Sequence, residues 1–112
     1  MKCGDVLLVN YPFTDGSAAK LRPVLVVSAD AFNGGADLIF VPISSAPAAD
    51  DPYVFPIRDS DPFFSQTGLR RNSCVKWTKP LTIAKKVVRS RLGSLPADPL
   101  AAVRTKVRGL FT

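Results

Sequence analysis

The sequence contains no histidine and no glutamate, and all nine of its acidic residues are aspartate. Histidine is the side chain whose ordinary pKa lies closest to neutral pH, so its absence excludes Ser-His-Asp, Cys-His and paired-histidine mechanisms. Cys3 and Cys74 are the only cysteines and form no CxxC spacing. A structural zinc site therefore lacks its ordinary ligands, and we expect neither a metal nor a cofactor. A disulfide between the two cysteines stays open, although free thiols in a reducing compartment are the expected state.

The chain also lacks a long hydrophobic run. No apolar stretch approaches the roughly 18 to 20 residues that a membrane-spanning helix needs. The opening Met1-Lys2-Cys3-Gly4-Asp5 has no signal-peptide pattern. With 112 residues, 46% of them hydrophobic, the chain fits a single domain over residues 1–112. We therefore expect a cytoplasmic protein with no membrane association.

Charge is divided unevenly along the chain, whose net charge is +6. The residues before Ser65 carry eight aspartates and four basic residues, a net charge of −4, whereas the rest carries eleven basic residues and one aspartate, a net charge of +10. A basic half of this kind suits a polyanion, either a nucleic acid or an acidic protein segment. A merely solvated basic surface is the alternative, and charge alone does not separate the two.

Hydrophobic patterning predicts short strands followed by one helix. Strands are expected at Asp5–Tyr11, Val24–Ser28, Leu38–Ile43, Tyr53–Ile57 (an edge strand, because it contains Pro56), Cys74–Trp77 and Leu81–Ile83. No helices separate these strands, which argues against parallel βαβ units. The predicted fold is mainly β, a small and partly open barrel of five to seven strands closed by a C-terminal helix.

The C-terminal helix has a start signal and an apolar stripe. Asp98 is the expected N-cap and Pro99 the first helical residue. Leu100, Val103, Val107 and Leu110 recur at helical spacing, and Gly109 is expected to help end the helix.

A candidate anion site lies between two of the predicted strands. Arg22 precedes Pro23 and the run Val24–Ser28, while Ser44 and Ser45 end the next apolar strand. Proline restricts the residue before it to an extended backbone, so Arg22 is held while the small-residue loop before it is free to move. If the two strands are neighbours, the guanidinium and the hydroxyl meet, and that pair suits a phosphate. An exposed Arg22 paired with an aspartate, and a Ser44 that only caps a strand, are the simpler alternatives.

An ordered set of segments resembles the PemK/MazF toxins over nearly the full length. The matching segments are Gly4-Asp5-Val6, Gly16-Ser17, Arg22-Pro23 with Val24–Ser28, Pro42-Ile43-Ser44-Ser45, Thr67-Gly68-Leu69 with Ser73, and Gly93-Ser94-Leu95. The resemblance implies an SH3-like β-barrel with a C-terminal helix. It also implies a homodimeric, metal-independent endoribonuclease that cleaves single-stranded RNA and a cognate antitoxin, for which we expect an acidic segment.

The resemblance assigns roles to individual residues. Arg22 falls on the family's catalytic arginine and Ser44 on its catalytic threonine, so the hydroxyl is kept and a methyl group is lost. The loop from Gly16 to Leu21 corresponds to the mobile first loop that lines the RNA site, and Ala18 stands where many members carry glutamate. The expected substrate contacts are Gly16, Ser17, Lys20, Pro23, Ser45, Arg70 and Arg71.

Three functions remain open at this point. The first is the toxin-type endoribonuclease, which needs no external nucleophile because the RNA 2′-hydroxyl attacks the phosphorus. The second is a non-catalytic SH3-like module that binds RNA or a peptide, with Ser44 and Ala18 as signs of lost activity. A metal-dependent nuclease ranks below both, because the aspartates fall in separate predicted loops and no histidine is present.

Overall fold

The computed structural model of the protein describes residues 1–11, 20–45 and 50–112, with the side chain of Tyr11 left aside. Within these ranges the chain forms seven strands, three α-helices and one 3₁₀ turn. In chain order they are β1 (Asp5–Tyr11), β2 (Lys20–Val26), α1 (Asp30–Asn33), β3 (Asp37–Ser44), β4 (Phe55–Ile57), α2 (Phe64–Thr67), β5 (Ser73–Val75), β6 (Leu81–Ala84), the 3₁₀ turn (Lys85–Val87), β7 (Val88–Ser94) and α3 (Ala97–Gly109). No helix in these ranges is long and apolar enough to cross a bilayer.

All seven strands belong to one antiparallel sheet. Its order is β4-β5-β3-β2-β1-β7, and β6 pairs with the first half of β3. Among the described residues β6 and β7 do not pair with each other, so the sheet stays open there. The predicted mainly-β fold with a C-terminal helix is confirmed, as is the position of the proline-containing β4 at a sheet edge.

Apolar side chains pack on both faces of the sheet. On one face, Val6, Leu25 and Val41 form a buried cluster with Val103 of α3. On the other face, Leu7, Val24, Val26, Leu38 and Phe40 form a second cluster. Because β2 and β3 are covered on both sides, their sequences are continuous apolar runs rather than alternating ones.

The bounds of β3, β4, β5 and β6 differ from the prediction by one or two residues at an end, so that Trp77 lies outside β5. Two other strands differ more. β2 begins at Lys20 and ends at Val26, so Arg22 and Pro23 lie inside the strand and Ser28 lies beyond it. Ser28 leaves the strand because its hydroxyl and carbonyl groups bond to the buried Asn33 of α1. β7 was not predicted, since its centre, Arg89 to Arg91, is polar and exposed. Charged residues are common on edge strands, where they discourage pairing with other chains.

The helix α3 starts two residues earlier than predicted, at Ala97 instead of Pro99. Pro96, not Asp98, is the N-cap, and Asp98 lies in the first turn, where its charge favours the helix dipole. Leu100, Val103 and Val107 pack on the core as expected. The helix ends at Gly109, so Leu110 lies past it and is 41% exposed, contrary to the predicted stripe.

Candidate functional site

The topology brings most of the predicted site residues to one end of the sheet. β2 begins at Lys20 where β1 ends, and β3 ends at Ser44 where β5 begins at Ser73. These antiparallel pairings place the following residues at the same end: Lys20, Arg22, Pro23, Ser44, Ser45, Arg70 and Arg71. Gly16 and Ser17 lie outside the described residues.

Arg22 and Ser44 lie on the same face of the sheet. Side chains alternate along a strand, so Arg22 shares its face with Val24 and Val26, and Ser44 shares its face with Leu38 and Phe40. Those four apolar residues belong to one cluster. The register pairs Val24 with Pro42, and continuing it along both strands puts Arg22 level with Ser44. Two neighbouring strands thus present a guanidinium and a hydroxyl side by side.

Two prolines mark the place where the β2–β3 ladder stops. The last pair of this ladder towards the start of β2 is Val24 with Pro42, and Pro23 precedes Val24. Proline has no N–H to donate, so neither residue extends the ladder as a donor. Arg22 is instead paired with Val9 of β1, and Ser44 with Cys74 of β5. The backbone of each site residue is therefore positioned by the strand on its far side.

The surroundings of this pair are open and cationic. Lys20, Arg22, Arg70 and Arg71 are exposed, and Ser44 is half-buried. The Ser73 hydroxyl donates to the Arg71 carbonyl oxygen at 2.9 Å, which holds the chain where it enters β5. An arginine fork next to a hydroxyl, with further cations nearby, is suited to a phosphate of a flexible single strand.

The opposite end of the sheet holds polar contacts that the sequence analysis did not identify. Asp5 is buried and accepts from the Lys2 backbone N–H at 2.9 Å and from Arg91 Nε at 3.1 Å. Arg104 of α3 donates from Nε to the Val27 carbonyl oxygen at 3.1 Å. The Cys3 N–H donates to Asp30 at 2.8 Å. The partners are 86, 77 and 27 residues apart in the Arg91–Asp5, Arg104–Val27 and Cys3–Asp30 pairs, so only the fold reveals these contacts.

Cys3, whose N–H takes part in these contacts, has a free thiol. Cys74 is also free and is buried. Burial raises the pKa of the Cys3 thiol, Arg104 lowers it, and Asp30 and Asp5 raise it further. The net direction is upward, because desolvation of the thiolate outweighs the arginine. Cys3 is thus a poor nucleophile at neutral pH.

Two of the large aromatic residues, Trp77 and Phe40, are buried. The Lys106 Nζ lies 5.5 Å from the centroid of the Trp77 ring, and the Tyr53 ring lies 5.9 Å from it between centroids. Phe63 and Phe64 are half-buried and pack against the same cluster. In the described part of the chain no group of three or more Cys or Asp side chains could hold a metal ion.

Comparison with known proteins shows which family has this architecture. A family model described as the PemK-like, MazF-like toxin of type II toxin–antitoxin systems matches residues 2–111. The chain therefore belongs to the PemK/MazF family of toxins. No curated protein matches it significantly.

Solved structures share the fold across almost the whole chain. A MazE–MazF structure from Deinococcus radiodurans is 27% identical, with a TM-score of 0.73 and coverage of 98% of this chain and 93% of that one. The Mycobacterium tuberculosis toxin MazF-mt6 is 18% identical, with a TM-score of 0.72 and coverage of 96% and 95%. A mycobacterial endoribonuclease in complex with its cognate antitoxin is 22% identical, with a TM-score of 0.69 and coverage of 97% and 90%. At 18% and 22% identity the last two show the fold alone.

Proposed function

We propose that the protein is the toxin of a type II toxin–antitoxin pair and a metal-independent endoribonuclease that cleaves single-stranded RNA in the cytoplasm. The observation that supports this most is the placement of Arg22 and Ser44 level with each other on one sheet face. The exposed cations Lys20, Arg70 and Arg71 at the same sheet end supply the attraction for a polyanion.

The reaction uses the nucleophile of the substrate itself. The RNA 2′-oxygen forms a bond to phosphorus as its proton leaves, the bond from phosphorus to the 5′-oxygen breaks, and that oxygen takes up a proton. The products are a 2′,3′-cyclic phosphate and a 5′-hydroxyl end. The Arg22 guanidinium donates two parallel hydrogen bonds to the phosphoryl oxygens as their charge grows. A preorganised donor of this kind contributes about 3 to 4 kcal/mol. Ser44 orients the phosphate or the 2′-hydroxyl.

The remaining predicted substrate contacts bind the RNA on either side of the scissile phosphate. Lys20, Pro23 and Ser45 lie within two residues of Arg22 or Ser44 along the chain, and Gly16 and Ser17 precede Lys20 in the sequence. We further propose a homodimer and an antitoxin with an acidic segment, in line with the antitoxin complex of the mycobacterial relative.

The decisive experiment is a cleavage assay in EDTA with a single-stranded RNA. The parent protein is expected to cut and to leave 2′,3′-cyclic phosphate ends. Arg22→Ala is expected to lose about 100-fold or more in rate, and Ser44→Ala to be impaired as well, because each removes a group that acts on the transition state. The matched controls are Arg89→Ala and Ser90→Ala, exposed positions on β7.

Three other results would each contradict part of the proposal. Binding of RNA by the parent without cleavage would favour the non-catalytic module, and loss of cleavage in EDTA would favour a metal-dependent nuclease. Equal activity of Arg22→Ala and the parent would reject the site.

A further inference from the structure

A further cation lies on the sheet face that carries Arg22 and Ser44. Lys76 comes directly after β5 and still follows β3, because its N–H donates to the Pro42 carbonyl oxygen at 2.8 Å. Ser44 is paired with Cys74, and continuing this register places Lys76 opposite Pro42. Lys76 is therefore the second residue beyond the cross-strand partner of Ser44.

The residues on either side of Lys76 in the sequence show which face it occupies. Val75 and Trp77 both belong to the buried cluster on the α3 side of the sheet. Side chains alternate along an extended chain, so Lys76 lies on the other face, which is the face of Ser44. Diagonal neighbours of this kind are within reach of a long side chain. The Lys76 ammonium can thus reach a phosphate that is bound between Arg22 and Ser44.

The Lys76 side chain is half-buried and has no carboxylate partner among the described residues. The only ion pair within the described ranges joins Arg91 to Asp5, at the other end of the sheet. The neighbours of Lys76 in the register of its own face, Pro42 and Cys74, carry no charge. A lysine commonly lays its methylene groups along such a surface and keeps its ammonium at a polar edge. The adjacent sheet end, which holds the candidate site, is an edge of this kind.

A second cation at the phosphate suits the proposed reaction. The scissile phosphodiester carries one negative charge, and a second develops on its phosphoryl oxygens as the RNA 2′-oxygen attacks. Arg22 supplies one positive charge, and the Ser44 hydroxyl supplies none. Lysine binds phosphate as a compact point charge on a flexible stem, so it can approach from a direction that the planar arginine fork leaves open.

We propose that Lys76 is a third catalytic residue, whose ammonium donates a hydrogen bond to the phosphoryl group held by Arg22 and Ser44. This inference rests on the proposed function, which supplies the RNA. The contact transfers no proton, so the bonds formed and broken at phosphorus are those given above. Lys76 holds the phosphate before the reaction and stabilises the charge that develops in the transition state.

The first test measures single-turnover cleavage of a single-stranded RNA at saturating protein. Lys76→Met is expected to slow cleavage about tenfold or more, because a charged contact to the transition state is lost. Lys76→Arg keeps the charge and is expected to retain most of the rate. Lys2→Met removes an exposed lysine at the other end of the sheet and should leave the rate unchanged. Lys76→Gln replaces Lys76→Met if circular dichroism shows that the latter is unfolded.

The second test measures RNA affinity in proteins that also carry Ser44→Ala, and so does not depend on cleavage. Lys76→Met should reduce the slope of log affinity against log salt by about 0.7, the value for one phosphate contact on a single strand. Lys2→Met should leave that slope unchanged.

Three results would overturn the role of Lys76. These are equal cleavage rates of the parent and Lys76→Met, a Lys76→Arg protein as slow as Lys76→Met, and equal salt slopes for the Lys76 and Lys2 variants. A parent that does not cut RNA, but whose salt slope depends on Lys76, refutes the nuclease and keeps the phosphate contact. A parent that cuts RNA equally well without the Lys76 ammonium refutes only the contact.

Discussion

At the scale of single residues, Asp5 shows how a buried carboxylate secures the start of the sheet. Asp5 accepts hydrogen bonds from the Lys2 N–H and from Arg91 Nε. These two bonds join the N-terminal residues to the edge strand β7. Arg91 is 57% exposed, so the ion pair itself contributes at most about 1 kcal/mol. The larger effect of the two bonds is to satisfy the buried Asp5 carboxylate itself. Its place in the motif Gly4-Asp5-Val6 is thus structural.

The raised pKa of Cys3 leads to a prediction about its reactivity. In a Cys74→Ala protein, the rate of modification of Cys3 by a thiol reagent is expected to rise with pH to a midpoint above about 8.5, the ordinary value for cysteine. The cause is burial, which disfavours the thiolate in the folded protein. The same shift stabilises the fold below about pH 8.5 and is lost as pH rises towards the folded pKa. The protein in denaturant is the control, and an equal midpoint in both states would contradict the prediction.

At the scale of elements, the sequence predicted the strands and helices that a short stretch of residues indicates by itself. β1 is found at the predicted Asp5–Tyr11, and the proline in Tyr53–Ile57 correctly indicated an edge strand. Helices α1 and α2, of four residues each, are too short to show periodicity, and β7 has exposed arginines where an apolar run was sought. The predicted start of α3 was wrong because Asp98 and Pro99 also suit the first turn of a helix, where backbone N–H groups have no helical partner.

Two glycines allow α2 to contact β7 through backbone alone. Gly68 has a positive φ of 74°, and a Cβ on it would meet the Leu92 backbone. A Cβ on Gly93 would meet the backbone of Gln66 and Thr67. The motifs Thr67-Gly68-Leu69 and Gly93-Ser94-Leu95 are therefore two sides of one close contact, which no sequence pattern on either side reveals.

This contact predicts opposite effects for two glycine substitutions. Gly93→Ala is expected to lower the free energy of unfolding by about 2 kcal/mol or more, since the backbone of α2 must move to admit a methyl group. Gly109→Ala is the control, because nothing lies within 4 Å of a Cβ there. It should be neutral or stabilise the helix by up to about 1 kcal/mol. Urea denaturation measures both, and equal midpoints would show that α2 does not pack on β7 as described.

At the scale of the whole molecule, the fold brings together basic residues from both the acidic and the basic half of the sequence. The half before Ser65 has a net charge of −4, yet it supplies Lys20 and Arg22 to the same sheet end as Arg70 and Arg71 from the basic half. The sequence indicated the adjacency of two strands and hence the pair Arg22 and Ser44. It did not indicate that β5 enters beside Ser44, because strand order in an antiparallel sheet depends on long-range packing. Nor did it indicate the bond from Arg104 to the Val27 carbonyl oxygen, because the two residues are 77 positions apart.

The basic residues at the sheet end around Arg22 predict how the affinity for single-stranded RNA depends on salt concentration. Binding of single-stranded RNA is measured with Ser44→Ala, which keeps the cations and is expected to slow cleavage. Log affinity should fall linearly with log salt, and adding Arg71→Gln should reduce the slope by about 0.7, the release expected for one lost phosphate contact on a single strand. Lys2→Gln, an exposed lysine at the other end of the sheet, should lower the affinity little and leave the slope unchanged. Equal slopes for the Arg71 and Lys2 variants would mean that RNA is held by overall charge rather than by the sheet end around Arg22.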